Sequence, residues 1–159
     1  MRIAILTISD RSSRGERADL SGPALVAEVA ARGWTAVETL VAPDEKSEIE
    51  RILVEIADAG RADVILTTGG TGLAPRDMTP EATTAVVSRR IPGMAEAMRA
   101  ASLRVTPNAM LSRAEAGVRK ACIIVNLPGS PKGAAECFRV VAPALEHAVA
   151  LVKGEQADG

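Results

Sequence analysis

Strand-like runs alternate with helical segments along most of the chain, and this alternation limits the fold more than any other feature. Residues 3–8, 34–42 and 63–68 are rich in aliphatic and β-branched residues, as strands in the interior of a sheet are. Between the last two runs, apolar residues recur at helical spacing from Ile49 to Ile56. Helical connections allow successive strands to run parallel. We therefore predict an α/β fold: a three-layer sandwich whose mainly parallel sheet carries one antiparallel strand and has helices on both faces.

The pattern changes after the middle of the chain. Residues 109–113 and 118–126 predict two strands that flank a turn at 116–117 and pair antiparallel. The remaining sequence predicts helix to about residue 153. We expect an interruption near Pro143, because proline lacks the amide hydrogen that a helix interior uses.

Length and composition limit the classes of protein to consider. The chain has 159 residues and no repeat or linker-like stretch, so we expect one domain over residues 1–153 and a tail over 154–159. A net charge of -1 and an aromatic content of 1% argue against nucleic acid as a partner, since such surfaces use excess cations and base stacking. No apolar run is long enough for a membrane, and the start lacks the pattern of a signal peptide. We therefore expect a cytoplasmic protein.

A glycine cluster follows the third strand directly. Gly69, Gly70 and Gly72 stand where open α/β sheets bind ligands, beyond the carboxyl end of a strand. Backbone without a Cβ can approach phosphate oxygens closely, so the cluster is a candidate phosphate-binding loop. It lacks the Gly-Lys-Ser/Thr of a Walker loop, and a simple tight turn is the alternative.

Two carboxylates near strand ends suggest a metal. Asp77 follows the glycine cluster closely, and a carboxylate beside phosphate is unfavourable unless it binds a cation; Mg²⁺ is the obvious candidate. Asp44 lies at another strand end, where it could cap the next helix, complete the magnesium site, or do both. Arg76 and Lys132 are cations available to phosphates nearby.

Other motifs occur in order along nearly the whole chain. They are Ser9-Asp10-Arg11, Gly15, Asp19, Ser21-Gly22-Pro23, Thr68-Gly69-Gly70-Thr71-Gly72, Arg76-Asp77, Thr79-Pro80-Glu81, Pro92-Gly93, Ser112-Arg113, Gly117 and Asn126-Leu127-Pro128-Gly129-Ser130-Pro131. Each is weak alone. Together, in this order and spacing, they make the chain resemble the molybdopterin adenylyltransferase family of molybdenum-cofactor biosynthesis.

The resemblance implies an activity and a set of residues. The activity is transfer of AMP from ATP, with Mg²⁺, to the terminal phosphate of molybdopterin, with release of pyrophosphate. The implied catalytic and metal-binding residues are Asp44 and Asp77. The implied nucleotide-binding residues are Thr68, Gly69, Gly70, Thr71, Gly72, Pro128, Gly129 and Ser130. On the molybdopterin side the resemblance implies Ser9, Asp10, Ser112 and Arg113.

The resemblance also implies partners and leaves alternatives. It implies a homo-oligomer, a trimer, although some relatives form hexamers, and a molybdenum insertase that receives the product. Some relatives keep the fold without catalysis, so a non-catalytic molybdopterin-binding carrier is the main alternative, and a nucleotide-binding regulator of the same fold is another. The Arg76-Asp77-x-Thr79-Pro80-Glu81 form resembles the active members more than the silent ones.

Overall fold

Six strands form one sheet in the computed structural model, which describes residues 1–155. The strands are β1 (Arg2–Ile8), β2 (Thr35–Ala42), β3 (Val64–Thr68), β4 (Arg89–Arg90), β5 (Ala116–Arg119) and β6 (Cys122–Leu127). Their order in the sheet is β2-β1-β3-β6-β5-β4. Strands β2, β1, β3 and β6 are parallel, and β5 runs antiparallel to both of its neighbours. The predicted mainly parallel sheet with one antiparallel strand is confirmed.

Helices cover both faces of this sheet. They are α1 (Asp10–Ser13), α2 (Ser21–Ala31), α3 (Lys46–Asp58), α4 (Thr79–Val86), α5 (Pro92–Leu103) and α6 (Pro131–Val152), with a 3-10 helix at Pro107–Leu111. Alternate residues of β1 face opposite sides, as the pleat of a strand requires. Ile3 and Ile5 belong to the core shared with α2, α5 and α6, whereas Ala4 and Leu6 belong to the core shared with α3 and α4. The three predicted layers are therefore present.

The predicted strand at 109–113 is wrong. Pro107 begins a 3-10 helix instead, and Thr106 caps it by accepting a hydrogen bond on its side-chain oxygen from the Asn108 amide, at 3.2 Å. The turn predicted at 116–117 is also misplaced, because Gly117 lies within β5. A Cβ on Gly117 would lie 2.7 Å from Val87 Cγ1, so this glycine serves a close approach and not a turn.

Helix α6 is continuous through Pro143, so the predicted interruption is wrong. A proline inside a helix costs about 3 kcal/mol. Here the apolar face continues on both sides of it, with Phe138 and Val141 before Pro143 and Leu145 and Val149 after it, all buried against the sheet. Burial of that face offsets the missing hydrogen bond.

Two sequence expectations concern regions outside the core. Within residues 1–155, the structure has no helix with the length and apolarity needed to cross a bilayer. Of the predicted tail, Gly154 and Glu155 follow α6 outside regular structure, and residues 156–159 lie outside the described residues. The single domain over residues 1–153 stays a prediction.

The parallel strands bring four loops to one edge of the sheet. Strands β1, β2, β3 and β6 end there, and each is followed by a loop that carries candidate site residues: Ser9, Asp44, Gly69 and Pro128. The fold therefore gathers residues that are far apart in sequence at the carboxyl edge, where α/β sheets place their ligands.

Candidate functional site at the carboxyl edge of the sheet

Two clefts open at this edge, and the loops after β3 and β6 border both. The two loops touch each other: Thr68 Oγ1 donates a hydrogen bond to the Pro128 carbonyl oxygen at 2.6 Å, and a Cβ on Gly129 would lie 3.3 Å from Gly69 Cα. Ser130 lines both clefts.

The first cleft, here called the carboxylate cleft, has a volume of about 360 Å³. Three carboxylates line it: Asp19, Asp44 and Asp77. The other predicted site residues on its walls are Ser9, Thr68, Gly69, Gly70, Gly129 and Ser130. Most of the predicted catalytic and nucleotide-binding residues therefore meet in one place.

The second cleft, here called the apolar cleft, has a volume of about 400 Å³. Of the predicted site residues it contains Thr71, Gly72, Ser112, Pro128 and Ser130. Met98, Ala109 and Cys137 contribute to its predominantly apolar walls, and Arg99 and Lys132 add positive charge. Ser9 and Ser112 were both predicted to contact molybdopterin, but Ser9 lines the carboxylate cleft and Ser112 lines the apolar cleft. The two clefts therefore do not separate the predicted nucleotide-binding residues from the predicted molybdopterin-binding residues.

The glycine loop owes its shape to two glycines. Gly69 and Gly70 have φ values of 101° and 66°, which other residues rarely adopt. A Cβ on Gly69 would lie 2.3 Å from the Ile8 carbonyl oxygen, and one on Gly70 would lie 3.3 Å from Asp44 Oδ1. Thr79 Oγ1 donates to the Gly69 carbonyl oxygen at 2.9 Å and fastens the loop to α4. The loop can thus pass the end of β1 and reach the side of Asp44.

Asp44 does not cap α3, so the helix-capping interpretation is wrong. The N-cap is Glu45, which makes no side-chain cap hydrogen bond. Asp44 Oδ2 accepts from the Asp10 amide at 2.8 Å, and the Asp44 amide donates to Asp10 Oδ1 at 3.0 Å. Partial burial raises the pKa of Asp44, and the negative charges of Asp10 and Asp77 raise it further. The site therefore concentrates negative charge that a bound cation would relieve.

Asp10 connects this carboxylate to the loop after β3. Arg76 forms a two-point ion pair with it, from Nε to Oδ2 at 2.6 Å and from Nη2 to Oδ1 at 3.0 Å, and Arg76 Nη2 also reaches Glu45 Oε1 at 2.9 Å. The hydrogen bond from Arg76 lowers the pKa of Asp10. The Asp10 carboxylate thus binds the Asp44 amide and Arg76, and the Arg76 guanidinium binds Asp10 and Glu45.

Asp77 stands at the far end of the same loop. Its Oδ2 accepts from the Ala74 amide at 2.9 Å, and a Cβ on Gly72 would lie 2.9 Å from that oxygen. Arg113 holds the loop from the inside, donating from Nε to the Gly72 carbonyl oxygen at 2.8 Å and from Nη2 to the Asp77 carbonyl oxygen at 2.6 Å. Arg113 also pairs with Glu81 in the first turn of α4.

Sequence reasoning missed Asp19 as part of the site. Its Oδ2 accepts from Thr7 Oγ1 at 2.9 Å and its Oδ1 accepts from the Gly22 amide at 3.0 Å, so it binds the start of α2 to the end of β1. Ser21, one residue earlier than Gly22, donates to the Gly129 carbonyl oxygen at 2.6 Å. An acidic residue three positions before a helical amide was the available signal.

The metal-binding potential of the site rests on a pair of carboxylates. In the part of the chain that the structure describes, no group of three or more His, Cys, Asp or Glu residues converges as a metal cage. Mg²⁺ is commonly bound by one or two protein carboxylates, with ligand phosphates and water completing its shell. Asp44 and Asp77, which share the carboxylate cleft, fit that requirement.

A mainly parallel sheet with a glycine loop and carboxylates at its carboxyl edge has the arrangement with which α/β proteins bind ligands. A protein-family model described as "Probable molybdopterin binding domain" (MoCF_biosynth) matches residues 4–147. The chain belongs to this family.

Several known proteins are similar to the chain over nearly its full length. A molybdopterin adenylyltransferase of Helicobacter pylori is 42% identical over 156 residues, which are 97% of this chain and 89% of that protein. A molybdopterin adenylyltransferase of Escherichia coli K12 is 44% identical over 143 residues, 89% of this chain and 73% of that protein. The crystal structure of the molybdopterin biosynthesis enzyme MoaB from Thermus thermophilus superposes with a TM-score of 0.91 at 49% identity, covering 97% of each chain. The predicted family is confirmed.

Proposed function

We propose that this chain is a molybdopterin adenylyltransferase, which transfers AMP from Mg-ATP to the terminal phosphate of molybdopterin and releases pyrophosphate. The observation that carries the proposal is the meeting of Asp44 and Asp77 in one cleft, on either side of the glycine loop. Relatives named for this activity, at 42% and 44% identity, support it.

The proposed reaction needs alignment and charge more than covalent help from the protein. Asp77 and Asp44 would hold Mg²⁺, which supplies positive charge to the phosphates when bound. The proposed nucleotide-binding residues are Thr68, Gly69, Gly70, Thr71, Gly72, Pro128, Gly129 and Ser130. Because Gly70 has no Cβ, the glycine loop can pack against Thr79 and lie beside Asp44, where a Cβ would be 2.3 Å from Thr79 Oγ1 and 3.3 Å from Asp44 Oδ1. The molybdopterin phosphate is already ionised at neutral pH, so the transfer requires no general base.

The two clefts suggest how the substrates divide. We propose that a heterocycle enters the apolar cleft and that phosphates occupy the carboxylate cleft. Apolar walls favour a flat ring system, whereas carboxylates and a glycine loop suit a metal-phosphate group. Ser130, which lines both clefts, marks their common border. Ser9 and Ser112 would contact substrate directly, and Asp10 and Arg113 would act by holding the loops.

A reconstitution separates this function from its alternatives. Purified protein is incubated with molybdopterin and Mg-ATP, and adenylyl-molybdopterin and pyrophosphate are measured. A transferase forms both products in equal amounts. Molybdopterin binding without either product would support the non-catalytic carrier, and ATP binding without affinity for molybdopterin would support the regulator.

We also propose a homotrimer in the cytoplasm that passes its product to a molybdenum insertase. Leu73, Val105 and Met110 are 65%, 64% and 66% exposed, which is consistent with surface that an assembly covers. Light scattering at micromolar concentration should give three times the chain mass. A clean monomer would contradict the assembly and leave the chemistry of the clefts untouched.

A further inference from the structure

One continuous series of contacts joins the two carboxylates of the proposed metal site. Asp44 exchanges two hydrogen bonds with Asp10, at 2.8 and 3.0 Å. Asp10 receives two more from Arg76, at 2.6 and 3.0 Å. Arg76 directly precedes Asp77 in the chain. The loop after β3 is thereby fastened to the loops after β1 and β2.

The geometry of these contacts favours a fixed position of Arg76 relative to Asp10. A guanidinium that binds a carboxylate at two points restricts both position and angle, which a lysine ammonium does not. Asp10 is itself held in the first turn of α1, where the Ser9 side chain accepts from the Ser12 amide at 3.2 Å. Arg113 secures the other side of the same loop through the Gly72 and Asp77 carbonyl oxygens.

The Arg76–Asp10 contact also affects the charge balance of the carboxylate cleft. Asp44 and Asp77 line the carboxylate cleft and Asp10 is hydrogen-bonded to Asp44, so the negative charges of Asp10 and Asp77 both act on Asp44. The Arg76 guanidinium offsets part of this repulsion from the outer side of Asp10. The Arg76 side chain is 54% exposed, and an ion pair with so exposed a cation contributes little to folding because solvent screens it. Its main effect should therefore fall on the site and not on overall stability.

We propose that the Arg76–Asp10 ion pair positions Asp77 and Asp44 relative to each other for the divalent cation, and that Arg76 is not a phosphate ligand. The proposal rests on the metal site of the proposed function. It makes Arg76 a positioning residue, because it acts through Asp10 and the adjoining Asp77.

The test measures metal binding without turnover. Mn²⁺ replaces Mg²⁺, and its binding to the protein in complex with a non-hydrolysable ATP analogue is followed by electron paramagnetic resonance. Arg76→Gln and Asp10→Asn should each weaken Mn²⁺ binding about tenfold, as lost support of metal ligands commonly does. Arg76→Lys should recover only part of the loss. The double variant, with Arg76→Gln and Asp10→Asn together, should bind Mn²⁺ no more weakly than either single variant. Each of these changes breaks the same connection between Asp10 and Arg76.

A matched control is available far from the site. Arg139 pairs with Glu28 through two guanidinium nitrogens on the surface between α6 and α2, so Arg139→Gln removes a comparable ion pair. It should leave Mn²⁺ binding unchanged, and all variants should melt close to the wild type.

Three outcomes would overturn the proposal. Unchanged Mn²⁺ binding in Arg76→Gln would show that the ion pair does not position the carboxylates. Weaker binding of the analogue to Arg76→Gln in EDTA would make Arg76 a phosphate ligand. If Asp77→Asn binds Mn²⁺ as well as the wild type does, the metal site of the proposed function is wrong, and the positioning role that rests on it is wrong as well. If Asp77→Asn loses Mn²⁺ binding while Arg76→Gln keeps it, only the positioning role is wrong.

Discussion

Two aspartates at opposite edges of the sheet have side-chain pKa values that are shifted in opposite directions. Asp63 lies just before β3 at the amino edge, where Oδ1 receives Arg2 Nη2 and Lys153 Nζ, each at 2.9 Å, and Oδ2 receives the Arg2 amide at 2.7 Å. Burial acts to raise the pKa of Asp63, but the hydrogen bonds from Arg2 and Lys153 outweigh it and hold that pKa well below its usual range. Asp44, at the carboxyl edge, has a raised pKa through burial and two neighbouring acids.

The difference separates a carboxylate that the protein pairs with its own cations from one that it does not pair directly with a cation in the described residues. At the amino edge the protein supplies its own cations, so the negative charge stabilises the fold. At the carboxyl edge Arg76 binds Asp10 and leaves Asp44 without a direct ion pair in the described residues. A carboxylate in a cleft whose pKa is raised by burial and by neighbouring charges is a candidate for a functional site. Substitutions at each edge should therefore affect different properties.

The largest effect should come from the carboxyl edge, in Asp77→Asn. The amide oxygen of asparagine can still accept from the Ala74 amide, so the loop should keep its shape while losing the charge. Misplaced metal should cost about 3 kcal/mol of transition-state stabilisation, which slows adenylyl transfer roughly a hundredfold. Single-turnover formation of adenylyl-molybdopterin checks this, with molybdopterin binding and a thermal melt both expected to stay normal. Near-normal transfer would contradict the role, and an unfolded variant would make Asp77 a structural residue.

The next effect belongs to the amino edge, in Asp63→Asn. The variant leaves the cations of Arg2 and Lys153 without their buried partner, and because the Arg2 side chain is 49% exposed we expect a loss of about 2 kcal/mol in the free energy of unfolding. Urea denaturation at neutral pH measures it, and adenylyl transfer should be unchanged. Equal stability of the two proteins would remove the contrast between the edges.

The same aspartate predicts a pH dependence. Its lowered pKa contributes stability that is fully present above the unfolded-state pKa of about 4 and is lost as pH falls through the folded-state value. The stability difference between wild type and Asp63→Asn should therefore shrink in acid below about pH 4. A difference that widens there would show that the carboxylate is not stabilised by its partners.

Asp44→Asn should have a smaller effect than Asp77→Asn. Asparagine still accepts the hydrogen bond from the Asp10 amide, and the loss of a partly buried charge should leave the melting temperature nearly unchanged. We expect transfer at limiting Mg²⁺ to fall about tenfold, or about 1.4 kcal/mol, and to recover in part when Mg²⁺ is raised. Unchanged turnover at limiting Mg²⁺ would remove Asp44 from the catalytic residues.

Much of the fold could be predicted because buried strands and amphipathic helices have periodicities that one sequence shows. Strand β4 has only two residues, Arg89 and Arg90, too few for any period. The 3-10 helix at Pro107–Leu111 resembled a strand because a short apolar segment does not distinguish the two. Helix α6 tolerates Pro143 for a tertiary reason, the packing of its apolar face.

The loops that meet at the carboxyl edge could be identified from sequence, but the contacts between them could not. Strand ends and glycines indicated the loops that the structure brings together, because the carboxyl ends of parallel strands share one edge. The partners of Asp10 lie 34 and 66 residues away, at Asp44 and Arg76, and no spacing rule links residues that far apart. Helix capping was a reasonable local hypothesis for Asp44, and a long-range hydrogen bond replaced it.

The smallest effect should come from Lys153→Met, which removes one of the two cations on Asp63 and keeps the length of the side chain. The Lys153 side chain is 35% exposed, while Asp63 keeps both the Arg2 guanidinium and the Arg2 amide. We expect a loss below about 1 kcal/mol in the free energy of unfolding, and less at high salt, since exposed charge is screened. Urea denaturation of this variant beside Asp63→Asn checks the order. A loss as large as that of Asp63→Asn would mean that Lys153, and not Arg2, compensates the buried charge at the amino edge.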